Sequence, residues 1–143
     1  MGRVIVHLDG KPKDGAFATI ISGYQNRVRS RGISVHFSKT TDRSKYESEL
    51  SNLSGHLVLL DEEGVGMTSE EVANWLKSAN IDDKTTNLAV GPPDGFSKEI
   101  KKSADHIISL SQLTLAHEMA AALLMEQLYR ASEINRGSSY HRT

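Results

Sequence analysis

Residues 56–76 read HLVLLDEEGVGMTSEEVANWL. Leu57, Val58, Leu59 and Leu60 form an unbroken apolar run, whereas a strand with one wet face would alternate apolar with polar residues. The run therefore predicts a central strand covered on both faces. A loop through EEGVG follows, and Thr68 with Glu71 three residues on is the capping-box spacing that opens a helix. A buried strand feeding a helix is the unit of a parallel sheet, because parallel neighbours need a crossover between them.

The same unit recurs on either side. Towards the carboxyl end, NLAVG (87–91) is followed by the turn PPDG and a short helix through Lys101. HIISL (106–110), the loop SQLTLA and a long helix from about His117 to Ile134 come next. Towards the amino end, RVIVHL (3–8) leads into a helix from about Asp14. Phe17, Ile20, Ile21, Tyr24 and Val28 recur there at helical spacing, and Gly32 marks the stop. ISVHF (33–37) precedes a polar helix over residues 42–53, closed by Ser54-Gly55. Five strand–helix pairs predict an α/β fold with a mainly parallel sheet flanked by helices, in a single domain over residues 1–143. Open sheets of this kind bind ligands beyond the carboxyl ends of their strands. Three loops are thereby candidates: Asp61–Met67, Gly91–Gly95 and Ser111–Ala116.

Composition narrows the chemistry. Of 143 residues, 38% are hydrophobic and 24% charged, which suits a globular domain with a sizeable core. The absence of cysteine removes disulfides, thiolate nucleophiles and Cys-type zinc sites, and the expected compartment is the cytoplasm. The opening MGRVIVHLDG has too short an apolar run for a signal peptide, and no segment approaches a membrane span. The net charge of -1 conceals an asymmetry. Residues 1–50 hold 9 Lys/Arg against 5 Asp/Glu, residues 51–100 hold 3 against 9, and residues 101–143 hold 5 against 4. The basic excess lies in Arg27, Arg29, Arg31, Lys39, Arg43 and Lys45, as a patch able to track phosphates or as an ordinary solvated face.

Several familiar sites fail on spacing. Gly64-Val65-Gly66 begins like a dinucleotide fingerprint, but Ser69 stands where the third glycine belongs. His117-Glu118 begins like HExxH, but Ala121 occupies the position of the second zinc ligand, and no metal is expected. No GxxxxGK[ST] loop or GxSxG elbow is present, which removes the usual carriers of nucleotide hydrolysis and serine acyl transfer. His7, His36, His56 and His106 fall at strand positions and read as structural. GPPDG is a stiff turn with few donors, since Pro92 and Pro93 lack N–H groups, while Gly91 and Gly95 allow close approach or positive φ. In SLSQLTLA, Leu110, Leu113 and Leu115 alternate with polar residues where the chain leaves the sheet. Such a loop either covers a flat aromatic base or packs into the core.

These residues resemble a known family. Gly91-(x)3-Gly95, then Ser109-Leu110-Ser111-(x)2-Thr114-(x)2-His117, then Glu126-Gln127-Leu128-Tyr129-Arg130-Ala131-(x)2-Ile134-(x)2-Gly137-(x)2-Tyr140-His141-Arg142, in that order, look like the RlmH family. Those are SPOUT-class methyltransferases that use S-adenosylmethionine to methylate N3 of a pseudouridine in large-subunit (23S) ribosomal RNA. The match is specific over about residues 56–142, where Leu60-Asp61 and Gly64 also agree. It is general over the first 50 residues, where Gly10-Lys11 fits. The resemblance implies a SPOUT fold with a carboxyl-terminal trefoil knot, a homodimer with its two sites near the interface, and the ribosome as partner. It places cofactor contacts at Leu60, Gly91, Leu110, Ser111, Gln112, Leu113, Thr114 and Leu115. It places Tyr140, His141 and Arg142 at the reacting base, with His141 suited to accept the N3 proton and Arg142 to stabilise the anion. Three positions depart from the family: Pro92 replaces a glycine, Ala116 a proline and Ala121 an arginine. Pro92 and Ala121 motivate a second reading, a diverged ribosome-binding paralogue that keeps the dimeric fold without turnover.

Overall fold

The computed structural model describes residues 3–40 and 42–142. The strands are β1 (Val4–Leu8), β2 (Ile33–Phe37), β3 (His56–Gly66), β4 (Thr86–Val90) and β5 (His106–Ser109). The helices are α1 (Gly15–Val28), α2 (Arg43–Ser51), α3 (Ser69–Ile81), α4 (Lys98–Ser103) and α5 (His117–Asn135), with a short 3-10 turn at Arg29–Arg31. All strand pairs are parallel, in the order β2-β1-β4-β3-β5. The five predicted pairs are thus present.

The apolar run at 57–60 does what its pattern requires. Val58 and Leu60 face one side of the sheet, against a core built with Ile21 and Val28 of α1, Val72 and Leu76 of α3, and Leu124 and Leu128 of α5. Leu57 and Leu59 face the other side, against Tyr46 and Leu50 of α2 and Phe96 and Ile100 by α4. Side-chain caps start four of the helices. Asp14 accepts from the Ala16 amide, Asp42 from Ser44 and Ser97 from Ile100, and Thr68 with Glu71 forms the reciprocal box read from the sequence. Helix α5 starts at Ala116 without one.

One region differs from the expected loop. Residues 61–66 continue β3, and Ile108 of β5 pairs with both Leu60 and Val65. One edge of a strand takes one parallel partner at a given residue. The register of β3 on β5 therefore shifts between Leu60 and Val65, with residues 61–64 left out of the pairing. Gly64 lies tight against β5: a Cβ there would lie 2.7 Å from the Ile107 carbonyl carbon and oxygen. Past the shift the Met67 amide donates to the Ser109 carbonyl, 3.1 Å away. No alternation in EEGVG announces a strand, because most of this segment is irregular and only Val65 and Gly66 resume the pairing.

Candidate functional site

The three candidate loops meet. At the carboxyl ends of β3, β4 and β5 they enclose a cavity of ≈ 230 Å³ lined by Leu60, Asp61 and Glu62, by Val90 to Phe96, by Ser109 to Ser111, and by Leu113 to Leu115. His117, Ala120 and Leu123 of α5 complete the wall. Seven of the eight expected cofactor contacts are here: Leu60, Gly91, Leu110, Ser111, Leu113, Thr114 and Leu115. Gln112 is exposed and does not line the cavity. A larger cavity, ≈ 390 Å³, lies between α3 and the amino-terminal ends of β3 to β5, beside His56, Trp75 and His106. Val65 and Met67, at the far end of the first candidate loop, also line it, whereas the other two loops do not reach it.

Local bonds hold each loop. The Tyr46 hydroxyl, buried under the sheet, lies 2.8 Å from the Val90 carbonyl and 3.0 Å from that of His7, tying the end of β4 to β1 through α2. Beyond it, the Gly95 amide donates to the Pro92 carbonyl at 2.8 Å, closing a turn with Pro93 at its second position and Gly95 at φ 76°. The turn uses the carbonyl of Pro92 and asks nothing of its missing N–H. Gly91 does not need positive φ; a Cβ there would meet the Phe96 ring at 3.3 Å. In the third loop the Ser109 hydroxyl donates to the Ser111 carbonyl and Ser111 Oγ accepts from the Leu113 amide, a polar turn that leaves Leu113 72% exposed. The Thr114 hydroxyl donates to Glu62 at 2.6 Å and clasps the first loop to the third.

Acid dominates the rim. Asp61, Glu62 and Asp94 line the cavity, and no Lys or Arg does. Lys101 approaches from outside, 3.4 Å from Asp61 and 2.6 Å from Glu63, and its hydrogen bond to Glu63 raises its pKa. Near α5 the Asp9 carboxyl is pushed up by burial, partly offset by His117. Glu62 and Asp94 fall within two of the candidate loops without having been singled out, and Phe96 and His117 lie just beyond the loops. Phe96 alone had a legible signal, being an aromatic residue directly after a tight turn.

The tail lies elsewhere. The Tyr140 hydroxyl donates to Glu126 at 2.9 Å, its ring meets Tyr129 edge-on at 4.8 Å, and the Arg130 guanidinium covers it at 4.8 Å. His141 Nε2 is 2.8 Å from Glu70 at the start of α3, and Nδ1 is 3.1 Å from Arg130 Nη1. Arginine can only donate. His141 Nδ1 therefore accepts, and its Nε2–H donates to Glu70. Arg142 is exposed. None of the three lines the cavity of its own chain. Ala121, where the family has arginine, is buried in the core, so this position does not face the cavity either.

Residues 3–141 match the family model described as "Predicted SPOUT methyltransferase". The chain belongs to the SPOUT methyltransferase family. A protein named ribosomal RNA large subunit methyltransferase H in Koribacter versatilis (strain Ellin345) is 35% identical, with 92% of each chain covered. One of the same name in Prochlorococcus marinus (strain MIT 9312) is 42% identical over 99% of this chain and 96% of its own. Among solved structures, TrmJ from Z. mobilis ZM4 superposes with a TM-score of 0.55 at 10% identity, covering 100% of this chain and 72% of that one. A probable methylase family protein from Haemophilus influenzae Rd KW20 gives 0.56 at 12%, over 98% of this chain and 70% of that one. At such identity the structures speak for the SPOUT fold alone. Within this SPOUT chain, the loop cavity and the tail are two separate clusters.

Proposed function

We propose that the chain methylates N3 of a pseudouridine in 23S ribosomal RNA, with S-adenosylmethionine as donor, as a cytoplasmic homodimer. The observation that carries the donor is the charge of the cavity. Three carboxylates and no Lys or Arg line it, which repels phosphate-bearing cofactors and attracts a ligand with sulfonium and ammonium charges. Val90, Leu110 and Leu115 offer apolar walls to an adenine, and Asp61 or Glu62 can accept from ribose hydroxyls. RNA as acceptor rests on the relatives' names.

When bound, S-adenosylmethionine supplies a methyl group already activated for transfer. The residues must then align N3 for in-line attack and take its proton. His141 and Arg142 have the right chemistry but lie on the α3–α5 side of their own chain. A two-fold copy that carries its tail to the neighbouring cavity would complete both sites at once. We read the carboxyl half as the family's trefoil knot, supported by the register shift of β3 on β5 and the close approach of Gly64 to the β5 backbone. The reading without turnover is favoured by one observation: both ring nitrogens of His141 are engaged, so its lone pair must leave Arg130 before it takes a proton.

Calorimetry with S-adenosylmethionine, followed by methyl transfer to ribosomes lacking the modification and mass spectrometry of the digested RNA, tests the proposal. Binding followed by an N3-methylated pseudouridine is the expected result. Binding without transfer leaves the paralogue, and a methyl group on another atom or nucleotide overturns the assigned acceptor.

A further inference from the structure

The basic excess of the amino-terminal third is divided by the fold. Lys39 follows β2, and Arg43 and Lys45 belong to α2, on the face of the sheet opposite α1. Arg31 is consumed structurally, paired with Glu133 at 2.8 Å and bonded to Ser132. Arg27 and Arg29 are different. Both are exposed, and neither pairs with a carboxylate among the described residues; Arg29 bonds only the Asn26 side chain, at 3.1 Å.

Arg27 is also seated. Its guanidinium lies 5.0 Å from the Tyr24 ring centre and 5.5 Å from that of Tyr129. Tyr129 in turn touches Tyr140 edge-on at 4.8 Å. The end of α1 is thereby joined through aromatic rings to the tail. Helix-dipole compensation accounts for a cation in the last turn of α1, but it does not call for an aromatic seat or for a second unpaired arginine. A guanidinium held over rings loses less freedom on binding and keeps its planar fork for phosphate oxygens.

We propose that Arg27 and Arg29 form a phosphate grip for the substrate RNA strand, with Tyr24 and Tyr129 holding the Arg27 guanidinium in place, next to the tail that handles the base. The inference rests on RNA being the substrate and adds the surface that positions it. Each arginine neutralises one backbone phosphate, and the grip carries no base specificity.

The test is the salt dependence of binding to a labelled single-stranded oligoribonucleotide, with the full chain. In the Arg27→Ala/Arg29→Ala variant the slope of log K against log salt should shallow by about 1.4, from ~0.7 per phosphate on single strands. Affinity for S-adenosylmethionine should be unchanged. Tyr24→Leu, which keeps both charges, should weaken binding while preserving the slope. An unchanged slope in the double variant overturns the grip, as does loss of the dimer in that variant, since the arginines would then hold copies together. The slope change is read on binding, so it can appear in a protein that transfers no methyl group, and methyl transfer can persist when the slope does not move.

Discussion

At the residue scale, two positions make demands that their chemistry explains. Gly64 lies against the β5 backbone where a Cβ would sit 2.7 Å from Ile107 atoms. The obstacle is main chain and cannot rotate away. Gly64→Ala should therefore destabilise the fold by about 1–3 kcal/mol, as overpacking does, and a urea midpoint equal to wild type would show that the approach is looser. His7 is buried, with Nε2 2.9 Å from Asn87 Oδ1, and desolvation lowers its pKa below the ordinary 6.5 despite that bond. Above 6.5 the ring is neutral in both states and its contribution is full. As pH falls below that value the unfolded chain takes a proton that the folded one refuses, so stability declines, by at most about 1.4 kcal/mol per pH unit. Denaturant melts from pH 7 to 5 should show this decline in the wild type and a shallower one in His7→Gln. Gly91 has a different reason to be glycine. Its neighbour is the buried Phe96 ring, so Gly91→Val would displace Phe96 as well as crowd a ligand. Leu110 and Leu115 are cleaner probes of the cavity.

At the element scale, α2 positions a loop it does not belong to. Its polar sequence promises little, yet Tyr46 is 2% exposed and its hydroxyl bridges the carbonyls of His7 and Val90. Tyr46→Phe removes the single O–H proton that the two carbonyls share, for about 1–2 kcal/mol of stability. It should also weaken S-adenosylmethionine binding several-fold by freeing the start of the Gly91–Gly95 turn. A calorimetric affinity equal to wild type would mean that the turn is held by Pro93 and Phe96 alone. The tail is fixed more unevenly. Tyr140 has an aromatic seat and a bond to Glu126, whereas His141 is held to Glu70 by an exposed pair of the kind that contributes little. Tyr140 is thus the anchor and His141 the movable part.

At the scale of the whole molecule, separation of the tail from the cavity makes a homodimer the economical way to complete a site. Two damaged chains test it. One lacks residues 140–143 and the other carries Leu110→Arg in its cavity; each alone should be inactive towards ribosomes. Mixed in equal amounts, they should recover up to about one quarter of wild-type rate, because half the dimers are mixed and each has one intact site. A mixture as inactive as its parts would place tail and cavity of one chain in the same site.

The sequence by itself determined the five strand–helix pairs, the doubly covered β3 and β4, the capping box at Thr68 and the three loops that gather at one end. Each of these is a local pattern, set by which neighbours a residue must bury or bond within a few positions. The gathering of the loops was legible for a related reason: parallel topology sends every such loop to the carboxyl end of the sheet, whereas the individual contacts expected there, seven of which line the cavity, were implied by the family resemblance. The tertiary structure decided the register shift of β3 on β5 across residues 61–64, the hydroxyl of Tyr46 under the cavity and the partition of the basic residues between two faces. It also held Gln112 and Ala121 away from the cavity and seated the tail on α3 and α5. These depend on partners far apart in the chain, such as His141 with Glu70 or Arg31 with Glu133, whose sequence separations are 71 and 102. No periodicity records a contact made by the return of the chain.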